Sequence, residues 1–452
     1  MKIIVVGCGK IGSAIISTLC REGHDIVAID QNPKLVNNIT NVYDVMGICG
    51  NGADSDILLE ASVEDAELFV AVTGSDEVNM LSCFSAKHLG AKHTIARIRN
   101  PEYNDKSLGF FKQNLELSMS INPDYLAAKE LFNVLKFPSA VKIETFSRGS
   151  LEMLEFRLKP DSCLDGMTLI EMREKHKAKV LVCYVHRDDK IFIPDGNFKL
   201  KSGDTIGITA MQTEVAKLFR SLGSFKKQAK NVMIMGGSRT AFYLAEMLLK
   251  IGSSVKIIEK DLAVCERLSE ELPKAVIING DGTDQELLVE EGIKNLDAFV
   301  ALTGMDEQNI LISIFSSSQN VPNIISKVNR TELIMLAQNL GLDCIVTPSQ
   351  IIADITISYA RALQNSLGSN VETLYRIADG KAEVLEFNVK SDSRVVNIPL
   401  KDLRCKQGIL IAGIIRGQKT VIPAGNDMIL AGDRVVIIAA EHRLEDLDGI
   451  LD

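Results

Sequence analysis

Residues 1–12 read MKIIVVGCGKIG, and the fold is decided there. Ile3 to Val6 form an apolar, β-branched run of the kind buried on both faces of a parallel sheet. The run stops at Gly7-Cys8-Gly9-Lys10-Ile11-Gly12, a G-x-G-x-x-G turn, after which residues 11–22 (IGSAIISTLCRE) repeat apolar side chains at helical spacing. A second buried run, 26–29, ends at Asp30, 23 residues beyond Gly7. Strand, glycine turn, helix, strand and terminal acid at this spacing make a dinucleotide fingerprint. Gly7 permits the tight turn, Gly9 lets the backbone approach a pyrophosphate, and Gly12 lets helix and strand pack closely, with Cys8, Lys10 and Ile11 as the remaining loop positions. Asp30 is placed to accept hydrogen bonds from ribose hydroxyls. An acid there repels a 2′-phosphate, and Gln31 and Asn32 offer no compensating cation, which favours NAD over NADP.

Further apolar runs at 45–49, 68–72 and 94–98, with a helical stretch at 76–89, predict a parallel doubly wound sheet with helices on both faces. In such a sheet ligands bind at the carboxyl ends of the strands, near the switch point. Asn51 follows the third run, Thr73-Gly74 the fourth, and Arg97 lies on or just after the fifth, where a cation could pair with phosphate.

The whole unit then recurs, offset by about 230 residues. Residues 230–241 (KNVMIMGGSRTA) answer 1–12, VKIIE (255–259) answers IVAID (26–30), and FVALTGMDEQN (299–309) answers FVAVTGSDEVN (69–79). Beyond this core, AEVLEFNVKSDS (382–393) matches LEMLEFRLKPDS (151–162), and IPAGNDMILAGD (422–433) matches IPDGNFKLKSGD (193–204). Short β runs at 152–158, 180–185 and 205–209 around a helix near 167–175 predict a small α+β domain. The organisation is therefore two Rossmann-like modules, 1–122 and 229–347, each followed by a connecting helix opened by proline, 123–139 and 348–366, and by a small module, 140–225 and 367–452. The second fingerprint departs from the first. It reads Gly236-Gly237-Ser238-Arg239-Thr240-Ala241, with Glu259 in the place of Asp30, Asp281 opposite Asn51, Thr303-Gly304 opposite Thr73-Gly74, and Lys327 opposite Arg97. Ser238 adds a side chain where a pyrophosphate would come closest, so nucleotide binding by the second copy stays open.

Composition narrows the function. With 46% apolar residues in 452, each module can build its own core. A net charge of −9, 5% aromatic residues and no Trp argue against nucleic acid as a partner. The longest uncharged stretch, Gln308 to Ser326, is broken by polar residues and Pro322, and the N-terminus lacks a signal-peptide pattern, so a cytosolic chain is expected. Nine cysteines without C-x-x-C spacing read as reduced, buried thiols, and the six histidines show no metal-ligand spacing. No acid/base group is placed for a dehydrogenase, and no G-x-S-x-G or Walker motif occurs. No catalytic residue is assigned.

The fingerprint, the VTGSDEVN and LTGMDEQN blocks, the ARIRN segment (96–100) and the duplicated small module together resemble the TrkA family, peripheral subunits of bacterial Trk potassium uptake within the RCK/KTN group. The resemblance covers essentially the whole chain. It implies an NAD(H)-binding regulator, with ATP or ADP bound in some members, that assembles into a ring, expected to be tetrameric here, on the cytoplasmic face of the inner membrane and gates a membrane-embedded potassium translocating subunit by conformational change. It carries nucleotide contacts onto Gly7, Gly9, Gly12, Asp30, Thr73, Gly74 and Arg97, and in the second copy onto Glu259, Thr303, Gly304 and Lys327. A freestanding nucleotide or redox sensor of another transporter, or an NAD-dependent oxidoreductase, would share the fold.

Overall fold

The computed structural model describes the chain except for residues 101–102, 104–113, 137–141, 147–150, 161, 189, 224–228, 343, 367–370, 378–381, 418, 441–443 and 445. The expected boundaries at 139/140, 225 and 366/367, and His442, lie at or among residues outside that set. The chain divides into two compact units, one formed by 1–132 and 230–360, the other by 133–229 and 361–452.

In the first unit the N-terminal module runs β1 (Lys2–Val6), α1 (Lys10–Arg21), β2 (Asp25–Asp30), α2 (Pro33–Val42), β3 (Met46–Cys49), α3 (Ser55–Glu60), β4 (Leu68–Ala71), α4 (Asp76–His88), β5 (His93–Arg97) and β6 (Met119–Ile121), and then enters α5 (Pro123–Lys136). Strand order is β3-β2-β1-β4-β5-β6, and every pairing is parallel. The order reverses between β1 and β4, the strands that carry Gly7 and Thr73 at their ends. Ile3, Ile4 and Val5 are completely buried because helices cover both faces. Ile4, Val6, Ile29, Phe69 and Ala71 share one core cluster with Leu58, Cys83 and Ala86. On the other side of the pattern, α1 turns Ile15, Ile16 and Leu19 inward.

Between the two copies the chain forms β7 (Lys142–Phe146), β8 (Leu151–Arg157), α6 (Leu169–His176), β9 (Val180–Arg187), β10 (Lys190–Phe192), β11 (Thr205–Ala210) and α7 (Gln212–Ser221), all in the other unit. The second copy then follows. It comprises β12 (Asn231–Met235), α8 (Arg239–Lys250), β13 (Ser254–Glu259), α9 (Leu262–Glu271), β14 (Val276–Asn279), α10 (Gln285–Glu290), β15 (Ala298–Ala301), α11 (Asp306–Ser318), β16 (Ile324–Lys327), α12 (Thr331–Asn339) and β17 (Cys344–Val346), leading into α13 (Pro348–Ser366). Its sheet order, β14-β13-β12-β15-β16-β17, repeats the first.

The second unit holds two antiparallel sheets, β10-β9-β11-β8-β7 and, with β18 (Val371–Ile377), β19 (Ala382–Asn388), β20 (Ile409–Arg416), β21 (Lys419–Val421) and β22 (Arg434–Ala440), the order β18-β19-β22-β20-β21. The sheets share a core in which Leu151, Met153 and Tyr184 meet Val384, Ile415 and Ile438. Thr209 donates across it to the Ala412 carbonyl at 3.0 Å. The matched Gly-Asp turns are structural. Asp204 receives Arg187 Nε and Nη2 at 2.7 Å each, and Asp433 receives Arg416 Nε and Nη2 at 2.9 and 2.8 Å.

The two small modules differ where they were expected to match. Thr168 and Glu171 form a capping box that starts α6, whereas Pro399 stands at the corresponding place in the second copy, and only a 3-10 turn, Leu400–Asp402, forms. The expectation of buried thiols holds for Cys8, Cys83, Cys183 and Cys265 but not for Cys49 and Cys163, which are exposed. Cys49 ends β3, the edge strand of its sheet, where one face lies open. Among the described residues, no helix is long and apolar enough to cross a membrane and no group of His, Cys, Asp and Glu is arranged to hold a metal.

Candidate functional site: the cleft at the strand ends

Three glycines shape the first cleft, each by a different constraint. Gly7 adopts φ +99°, and a Cβ there would lie 3.0 Å from the Thr73 nitrogen, so the turn at the end of β1 excludes any side chain. A Cβ on Gly12 would lie 1.7 Å from the Gly7 carbonyl oxygen. Gly9 has nothing within 4 Å of its would-be Cβ, and it caps α1 without a side-chain hydrogen bond. No side chain therefore caps the first-turn amides of α1, which carry the positive end of the helix dipole.

Asp30 closes one side of the cleft. Its Oδ2 accepts the Cys8 N–H at 2.7 Å and its Oδ1 the Asn32 N–H at 2.8 Å, which fixes the carboxylate beside the glycine turn. Burial pushes the neighbouring Cys8 thiol up to about 12, with the Asp30 charge adding to the effect, so Cys8 is a neutral wall of the loop at ordinary pH.

The opposite side is organised by a residue that the motif reading passed over. Asn79, fully buried in α4, accepts from the Thr73 N–H at 2.8 Å and the Thr73 hydroxyl at 2.7 Å, and it donates to the Arg97 carbonyl at 2.9 Å. Arg97 in turn donates from Nη1 to the Thr73 carbonyl at 2.7 Å. Asp76 receives the Arg99 and Asn100 amides at 2.8 and 2.7 Å. The second copy repeats the device, with Asn309 joining Thr303 to Lys327 and Asp306 receiving the Asn329 and Arg330 amides. The repeated D-E-x-N block thus binds the ends of two neighbouring strands together. Its recurrence in both copies was the signal available in the sequence.

Burial, then the like charge of Arg99, lowers Arg97 to about 10, while Asp124 and Asp76 oppose the shift; the guanidinium stays charged at neutral pH.

These elements enclose a cavity of about 670 Å³. Gly7, Gly9, Lys10, Ile11, Asp30, Asn51, Thr73, Gly74 and Arg97 line it, while Cys8 and Gly12 support the loop from behind. Asn51 shapes the turn after β3, its Oδ1 accepting the Ala53 N–H at 3.1 Å. The far wall comes from the second copy. Thr240 and Lys327, expected at the second crevice, line this cavity, together with Asn329 and Ser349. Lys327 is half-buried, desolvation lowers its pKa, and its Nζ donates to the Leu302 carbonyl at 3.3 Å. Asp124, at the start of α5, lines the cavity and accepts the Thr240 hydroxyl at 3.0 Å.

The second crevice keeps the frame but closes the turn. Gly236 adopts φ +99°, and Glu259 accepts the Gly237 and Asp261 amides at 2.6 and 2.8 Å, as Asp30 does in the first copy. Ser238, however, caps α8 itself, its Oγ accepting the Ala241 N–H at 3.3 Å. A Cβ on Gly237 would come within 2.7 Å of Val264 and 2.9 Å of Leu268, so α9 packs directly on this loop. Arg239 opens α8, Asp281 is exposed and holds the turn at Thr283, and Thr303-Gly304 end β15 as Thr73-Gly74 end β4.

Fold and site together define a class: a chain of two doubly wound modules carrying a dinucleotide-type glycine turn, each followed by an antiparallel-sheet module. The TrkA-N domain matches residues 3–110 and 232–348, and the TrkA-C domain matches 153–223 and 384–452. The chain belongs to the TrkA family. A Trk system potassium uptake protein TrkA homolog of Archaeoglobus fulgidus is 33% identical over 450 residues, covering 100% of both chains. Homolog 1 of Methanosarcina mazei is 32% identical over 99% of both, and TrkA of Haemophilus influenzae is 29% identical over 98% of this chain and 96% of its own. Among solved structures, the GsuK RCK domain superposes with a TM-score of 0.64 at 17% identity, covering 97% of this chain and 92% of its own. The GsuK channel bound to NAD gives 0.61 at 16% identity, covering 97% and 77%. These two likenesses are of fold.

Proposed function

We propose that this chain is the regulatory subunit of a Trk-type potassium uptake system, and that it binds NAD(H) in the first cleft. The observation that carries the reading is the convergence of an uncapped glycine turn, an acid held at the ribose position and the cations Lys10, Arg97 and Lys327 on one cavity. The glycine turn suits a pyrophosphate and Asp30 suits ribose hydroxyls. ATP or ADP shares the adenosine and phosphate features and competes for the same cleft. The relatives' names, Trk system potassium uptake proteins, support the system, and the NAD of one GsuK structure and the ADP of another support the ligand class.

In this reading the ligand is sensed rather than turned over. It favours one arrangement of the two doubly wound modules, because both line its cavity, and that preference shifts a population that a membrane-embedded potassium translocating subunit reads at the cytoplasmic face of the membrane. The working assembly is a homotetrameric ring. The second crevice, closed by Ser238, binds nucleotide more weakly than the first. Calorimetric titration of the purified full chain with NADH, NAD⁺, ATP and ADP tests the ligand: saturable binding near one site per chain supports the reading, and no heat from any of the four overturns it.

A further inference from the structure

The first cleft contains a charge that neither the glycine turn nor the fold requires. Asp124 lies in the opening turn of α5, one residue after Pro123, and lines the cavity with Arg97 and Lys327. Its carboxylate favours the charged forms of both cations, against the burial that disfavours them. The second copy has Ser349 at the matching place, one residue after Pro348 at the start of α13, so an uncharged residue serves the same helix start. The Thr240 hydroxyl, donated at 3.0 Å from the second copy, holds Asp124 in position, and Thr240 is itself almost completely buried.

We infer that Asp124 selects a dinucleotide over a nucleoside triphosphate by opposing a third phosphate in the cleft. The inference rests on the nucleotide reading above. A dinucleotide sets its pyrophosphate against the glycine turn and continues as a second ribose and base. A triphosphate continues instead as another phosphate, directed along the same cavity toward Arg97 and Lys327, whose attraction Asp124 offsets. Discrimination by placing a like charge against the unwanted ligand costs little for the wanted one.

Titration of the full chain with NADH, ADP and ATP, with divalent cations removed by chelator, tests this in the native sequence and two variants. Asp124→Asn keeps an acceptor for Thr240 and removes the charge; its ATP affinity is expected to rise by about tenfold with NADH affinity changed by less than about threefold, and ADP in between. Thr240→Val keeps the charge but removes the hydrogen bond that positions it, so its ATP-to-NADH ratio is expected to rise by less than in Asp124→Asn. An unchanged ratio in Asp124→Asn, or an equal change in both variants, overturns the inference while leaving nucleotide binding intact. If the native chain binds none of the three, the nucleotide reading itself fails and takes the inference with it.

Discussion

Gly12 and Gly7 are in such close contact that a methyl group on Gly12 would stand 1.7 Å from the Gly7 carbonyl oxygen. Backbone, not a flexible side chain, would have to yield. Gly12→Ala is therefore expected to destabilise the chain by about 1–3 kcal/mol, the ordinary cost of overpacking, read as a lower urea midpoint. Gly23→Ala is the comparison: it has open space around its would-be Cβ and φ +74°, so its cost is the smaller one of backbone conformation alone. Equal midpoints for native chain and Gly12→Ala would mean that helix α1 sits further from β1 than described.

Asn79→Ala removes the acceptor of the Thr73 amide and hydroxyl and the donor to the Arg97 carbonyl, all at a fully buried position. Leaving such groups unpaired costs about 1–3 kcal/mol, and the ends of β4 and β5 lose their alignment. Both the urea midpoint and the NADH affinity are expected to fall. A stable variant with native affinity would show that the cleft does not depend on this residue.

In the second unit, burial and then the charge of Lys175 push the His176 imidazole below its ordinary 6.5, and its Nδ1 lies 2.9 Å from Ser221 Oγ. The folded chain then takes up a proton less readily than the unfolded chain. Stability is complete above about 6.5 and is lost as pH falls from there through the lowered folded value. Urea midpoints at about pH 7.5 and 5.5 should fall more in the native chain than in His176→Gln. An equal fall in both would assign the acid sensitivity elsewhere.

Thiol reactivity should follow burial. Burial raises Cys83 beyond the ordinary thiol range and Cys183 to about 12, while Cys49 and Cys163 are exposed. Alkylation of the folded chain, followed by peptide mass analysis, is expected to label Cys49 and Cys163 first and Cys8, Cys83 and Cys183 only on unfolding. Early labelling of Cys8 would show that the glycine turn opens.

Much of the fold was legible because the strands of a doubly wound sheet are continuous apolar runs and the glycine turn marks where the first one ends. The runs at 68–72 and 94–98 became β4 and β5 within a residue or so at each end. Met119–Ile121 and Cys344–Val346 are not legible in the sequence, since three residues carry no period of their own. The composition of the cleft was only half legible. Gly7, Gly9 and Asp30 announce themselves by spacing, whereas Asp124 comes from the helix after β6, more than 90 residues on, and Lys327 from the second copy, more than 290 residues on. The cap made by Ser238 was visible as a departure from the motif, and the structure shows what the departure does to the helix start.

In the proposed function the uncapped turn at Gly9 receives the pyrophosphate of NAD(H), and the two copies supply their own control. Gly9→Ser introduces the residue that closes the second turn, at a site with open space and extended backbone, so the chain should fold as before. The most direct measurement is NADH titration of native chain and Gly9→Ser, side by side, with urea midpoints for both. Near-equal midpoints are expected, with an affinity at least about tenfold weaker in Gly9→Ser. Native affinity in a variant of native stability would contradict this placement of the pyrophosphate.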